Sequence, residues 1–163
     1  MPERRTIERA REAKREGKRP TSQAGEFVRE EMHHIREGKH GARSTKQAIA
    51  IGLSKARRAG VRLGKPPKSA KRKTRQSAAY AARAGRRGRR KTSRTRSRAI
   101  AGALKREGHR AASRPALARQ ARQAARRRGP AARKAAARKA VETKGPAERR
   151  AAARKAAATR KAA

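Results

Sequence analysis

The sequence predicts an all-α chain in three parts: a charged N-terminal helix over residues 1–20, a small helical hairpin over 21–64, and a largely disordered or conditionally helical basic tail over 65–163. Three observations carry this reading. Large apolar side chains are scarce: Leu, Ile, Val and Phe together number 13 of 163 residues, while 39 are alanine. Nine of the 16 apolar residues other than alanine lie between Phe27 and Leu63, spaced as on helix faces. From Lys65 onwards the chain is Ala/Arg/Lys low complexity, punctuated by Gly and Pro.

Charge bounds the function classes. The chain holds 52 Lys+Arg against 11 Asp+Glu, a formal net charge of +41. With so few large apolar residues, such a chain cannot offset its conformational entropy by extensive burial, so any core is expected to be small and local. No cysteine is present, which removes disulfide scaffolds and thiolate chemistry. The longest apolar run, Ala48 to Leu53, is far shorter than the roughly 20 residues of a membrane span. The N-terminus lacks the apolar region of a signal peptide, and Glu3, Glu8, Glu12 and Glu16 do not suit an acid-poor transit peptide. The expected location is the cytoplasm, with no membrane contact.

Each element has its own signals. Residues 2–17 read as a solvated single helix, with Arg5/Glu8, Arg9/Glu12 and Glu12/Arg15 pairs at i,i+3 and Gly17 as its stop. Thr21 or Ser22 is expected to cap a second helix through about Arg36, with Val28, Met32 and Ile35 on one stripe and Phe27 beside it. Gly38 and Gly41 break it. Ser44 or Thr45 caps a third helix, Lys46 to Ala59, whose stripe is Ile49, Leu53 and Ala56. Gly60 sits where a left-handed residue belongs, folding Val61 back onto Ala56. Pro66 and Pro67 then mark the link to the tail.

The tail divides at Gly85, Gly88, Gly108, Pro115, Gly129, Pro130, Gly145 and Pro146 into helix-sized pieces. In Arg133-Lys134 and Arg138-Lys139, as in Arg149-Arg150 and Arg154-Lys155, basic pairs recur every five residues. On a helix each pair steps by about 140°, so cations surround the axis and no apolar stripe is left for a membrane or a coiled coil. Residues 65–163 carry 35 Lys+Arg against 3 Glu, and 32 net charges match the phosphates of about 16 base pairs. The expected partner is therefore duplex DNA, with RNA as the rival ligand and no small-molecule substrate. One Phe, one Tyr and no Trp leave little for stacking unpaired bases.

The candidate nucleic-acid-binding residues fall in groups. Lys46, Lys55, Arg57, Arg58 and Arg62 lie on or beside the third helix. Lys65, Lys68, Lys71, Arg72 and Lys73 follow the prolines. Arg86, Arg87, Arg89, Arg90 and Lys91 surround Gly88, and Arg126, Arg127 and Arg128 precede Gly129. Arg133, Lys134, Arg138, Lys139, Arg154 and Lys155 occupy the last pieces. Phosphate contact without sequence preference is the expected mode. Thr92, Ser93, Thr95 and Ser97 read as spacers that phosphorylation would turn against DNA.

No catalytic residue, cofactor or metal ligand is assigned. Asp is absent, and no nucleophile–base pair or phosphate-cradling Gly-rich loop appears. His33, His34 and His40 with Glu30 and Glu37 have metal-ligand chemistry, but adjacent histidines diverge by about 100° on a helix. The protein is not expected to be an enzyme, and its oligomeric state is left open.

The segment Met32-His33-His34-Ile35-Arg36-Glu37-Gly38-Lys39-His40-Gly41, followed by Ser44-Thr45-Lys46-Gln47-Ala48-Ile49-Ala50-Ile51-Gly52-Leu53-Ser54-Lys55-Ala56-Arg57, resembles a family of short, Lys-rich bacterial proteins of unknown function. That resemblance implies a bacterial source and no particular activity. The tail resembles bacterial histone H1-like proteins, whose Ala/Lys/Arg-rich tails bind and condense DNA. The resulting expectation is a nucleoid-associated, histone-like protein that neutralises and bridges duplex DNA. Its alternatives are an RNA-binding or ribosome-associated basic protein, or a protein-interaction hairpin carrying a nucleic-acid tether.

Overall fold

A computed structural model describes residues 2–87, 93–143 and 145–161. Among them stand seven α-helices and one 3-10 turn, with no strand: α1 (Arg4–Arg15), α2 (Pro20–Arg36), α3 (Thr45–Arg58), α4 (Arg72–Arg86), α5 (Arg94–Lys105), the turn Arg110–Ala112, α6 (Arg114–Thr143) and α7 (Pro146–Lys161). The chain divides into two units, Met1–Ala118 and Arg119–Ala163.

In the first unit α2 and α3 form the expected hairpin. Ser44 caps α3, its hydroxyl accepting from the Gln47 amide at 3.2 Å. Gly60 has φ +92°, and the amides of Gly60 and Val61 donate to the Arg57 and Ala56 carbonyls at 3.1 and 3.0 Å. That is the left-handed helix ending read from the sequence. The start of α2 differs from expectation. It begins at Pro20, whose fixed φ suits the first helical position, and neither Thr21 nor Ser22 caps it. The helices cross at Gly52, where a Cβ would lie 2.7 Å from the Val28 Cα, so only glycine permits this approach.

Three further pieces complete the unit. Helix α1 is not solitary: it buries Thr6, Ala10 and Ala13, and Ala10 packs with Ala24, Phe27 and Ala56. Helix α4 packs on α3, burying Ala81 and bringing Gly85 so close that a Cβ would sit 2.3 Å from the Arg57 carbonyl oxygen. Gly85 thus serves packing inside a helix and does not break one. The 3-10 turn docks on both hairpin helices: the Thr45 hydroxyl donates to the Ala111 carbonyl at 2.7 Å, and the Arg36 guanidinium to that of Ala112 at 2.9 Å. Met32, Ile35, Ala42, Ala48, Ala111 and Ala112 form the second part of the core. Packing therefore continues well past the charge boundary at residues 64 and 65. Of the 12 buried hydrophobic residues nine are alanine, which is how a chain poor in large side chains still closes a core. Backbones approach closely and bury one another's small surfaces.

The second unit is helical too, so the expected disorder of the tail does not stand. Alanine's helix propensity and the placement of Pro at helix starts explain it. Gly129, at φ 76° and ψ 166°, interrupts α6 just ahead of Pro130, and α7 opens at Pro146, both where the punctuation places them. Residues 131–143 and 145–160 are all exposed.

Candidate nucleic-acid interface and a buried ionic cluster

The predicted cations fall into two environments. Lys46, Arg58, Arg62, Lys65, Lys68, Lys71, Arg72, Lys73, Arg86 and Arg87 are exposed, as are Arg126–Arg128, Arg133, Lys134, Arg138, Lys139, Arg154 and Lys155. Among the described residues none of these is ion-paired. Arg89, Arg90, Lys91 and Thr92 lie outside the described residues. Arg57 is half-buried; its guanidinium donates to the Gly64 carbonyl at 3.3 Å, and burial pushes its pKa down from the ordinary value. Lys46 and Arg58 stand 12 residues apart on α3, about 18 Å of helix rise and some 120° of rotation. They do not form one reading face. Ser93, read as a spacer, caps α5 by accepting from the Arg96 amide at 3.5 Å.

Lys55 departs from that group. Its ammonium turns inward onto Glu31 Oε2 at 2.5 Å, with Glu30 Oε1 at 3.9 Å, so this cation is already paired within the fold. Glu31 is fully buried and Glu30 nearly so. Glu31 Oε1 faces His40 Nε2 at 3.2 Å. Although Lys55 and His40 both lie close, neither Glu31 oxygen accepts an aligned hydrogen bond, and Glu30 Oε2 has no partner at all. Glu30 Oε1 accepts from the Glu3 backbone amide at 3.2 Å.

At the rim of this cluster His34 Nε2 meets Glu3 Oε1 at 2.9 Å and Glu30 Oε1 at 3.9 Å. That hydrogen bond from His34 is the main reason the Glu3 carboxyl lies below its usual pKa, with Lys39 adding to it. Lys39 sits 3.0 Å from Glu37 and 3.5 Å from Glu3, and its ammonium is pushed above its ordinary value chiefly by Glu37. Although His33 and Glu37 stand at i,i+4 on α2, Glu37 pairs with Lys39, and His33 is exposed.

Sequence reasoning passed over Glu31. Its signal was present: three residues after Val28 and four before Ile35, a glutamate occupies the apolar stripe of α2. A carboxylate there needs a buried cation, and Lys55, one residue before the buried Ala56, supplies it.

Among the described residues no helix is long and apolar enough to cross a membrane. No curated protein and no solved structure matches the chain. Residues 15–69, from the end of α1 to the linker after α3, match the model of a family of unknown function (DUF6496), so the segment that closes the hairpin and holds Glu30, Glu31, His34, His40 and Lys55 is the part similar to that family.

Proposed function

We propose that this protein binds duplex DNA through its phosphates, without marked sequence preference, and bridges or compacts it in the manner of bacterial histone H1-like, nucleoid-associated proteins. One observation carries the reading. Every ion pair among the described residues involves a glutamate at or before position 37, whereas the described cations from Arg58 onwards make none and are open to an outside partner. An unpaired cation of this kind releases counterions when it meets a phosphate, which is the sequence-independent part of DNA affinity. Cations all round α7 and the second half of α6 suit contact with more than one duplex. The separation of Lys46 from Arg58 favours backbone contact over base reading.

The test is a titration with two unrelated 40-base-pair duplexes and a structured RNA of equal phosphate count over a range of salt. The expected result is a steep, shared salt slope for the duplexes and weaker binding to the RNA. Tighter RNA binding would replace the reading with a ribosome- or RNA-associated role. A shallow slope for both would overturn it.

A further inference from the structure

With its two imidazoles neutral the buried cluster is short of positive charge, and its geometry says where that charge belongs. Inside the fold, Glu30 and Glu31 face one ammonium, that of Lys55. His40 sharpens the point. Its Nδ1 lies 3.1 Å from the Gly41 carbonyl oxygen, which only accepts, so Nδ1 carries the hydrogen. Its Nε2 then faces Glu31 Oε1, which when ionised also only accepts. A neutral imidazole has one N–H for these two acceptors. The gap between Nε2 and Oε1 is therefore filled either by a second proton on the ring or by a metal ion.

We propose that Glu31, His34 and His40 bind a divalent transition-metal ion of the zinc class, with solvent completing the coordination. Their donor atoms lie within 4.8 Å of one another, and on a tetrahedral zinc ion ligand atoms sit about 3.3 Å apart, so closure needs side-chain rotation only. Two imidazoles and one carboxylate select zinc-like ions over magnesium or calcium, which take oxygen ligands. The Gly41 carbonyl fixes the His40 ring in the tautomer that offers Nε2, as the outer partners of metal-bound histidines do. Glu31 binds through Oε1 while Oε2 keeps Lys55. The charge then closes: with Lys39 balanced by Glu37, the dication and Lys55 meet Glu3, Glu30 and Glu31. The ion ties the middle of α2 to the segment beyond Gly38. This site is independent of the DNA reading.

The test uses the full chain, freed of nucleic acid and stripped with a chelator. Zinc is titrated against a chromophoric chelator and cobalt(II) is followed by its visible spectrum, with far-ultraviolet circular dichroism reporting the fold. One equivalent is expected, with the intense visible bands of four-coordinate cobalt. His40→Ala and Glu31→Gln should each weaken zinc by about tenfold or more, and His33→Ala, exposed on the same helix, by less than about twofold. No stoichiometric binding by the folded wild type at micromolar zinc would leave only an ordinary His–Glu ion pair and overturn the proposal. Equal loss in His33→Ala would overturn it too. Should the first two variants unfold, the wild-type cobalt spectrum decides: octahedral, weak bands refute the site.

Discussion

Helices α1–α3 and the helices of the second unit are both rich in charge, yet they treat it in opposite ways. Around α2 the glutamates Glu3, Glu30, Glu31 and Glu37 each lie against Lys or His, and two of them are buried. Residues 119–163 hold 16 Lys+Arg against two Glu, and among the described residues there none is paired. The first arrangement spends charge on holding helices together, and the second leaves it outside. The lesson is that net charge alone misleads: the same residue types are structural in one half and free in the other, and only their partners tell which.

The widest test of that contrast is to end the chain at Ala118. Loss of 16 cations should weaken duplex binding by at least about 100-fold at moderate salt and flatten the salt slope, while the thermal midpoint of the remaining unit barely moves. Ending it at Gly64 instead removes α4 and the 3-10 turn, and should expose Ala48 and lower stability sharply. Next in size, Glu31→Gln leaves Lys55 without its buried partner and should cost about 3 kcal/mol in urea unfolding. Replacing both, as Glu31→Leu with Lys55→Met, should recover most of that.

Smaller effects probe the backbone. Gly52→Ala gains helix propensity of about 1 kcal/mol but forces α2 and α3 apart, for a net loss of about 1–2 kcal/mol. Ser44→Ala should cost about 1 kcal/mol by removing the cap on α3. By contrast, Arg133→Gln should leave stability unchanged within about 0.5 kcal/mol and reduce the salt slope by about 0.9. A stability change there as large as that of Ser44→Ala would erase the distinction between the two regions.

What was legible in the sequence was short in range. Ser44, Gly60 and Pro146 declare helix ends because their effect is on the next few backbone groups. Phe27, Met32 and Ile35 declare a face by their spacing, and all three are buried. Alanine declares neither. Ala10, Ala81 and Ala112 sit in the core while the alanines of α7 are exposed, yet both sets occur in similar Ala-, Arg- and Lys-rich stretches. Their docking depends on distant partners, and so does the site: Glu31 meets Lys55 across 24 residues and His40 across a turn, distances that a helical period does not encode.

The docking of Arg110–Ala112 on the hairpin also sets an order of folding. Thr45 and Ala111 are 66 residues apart, and Arg36 and Ala112 are 76 apart. The α2–α3 hairpin forms from neighbours in the chain and is expected to come first, whereas these two hydrogen bonds close a long loop and come late. During synthesis the hairpin must therefore wait, with Ala42 and Ala48 uncovered, until residue 112 has left the ribosome. Throughout that interval the nascent chain threads a run of unpaired cations past ribosomal RNA. If these helices meet a polyanion as proposed, ribosomal RNA is the first one the maturing chain encounters, and folding speed becomes part of what frees the protein from it.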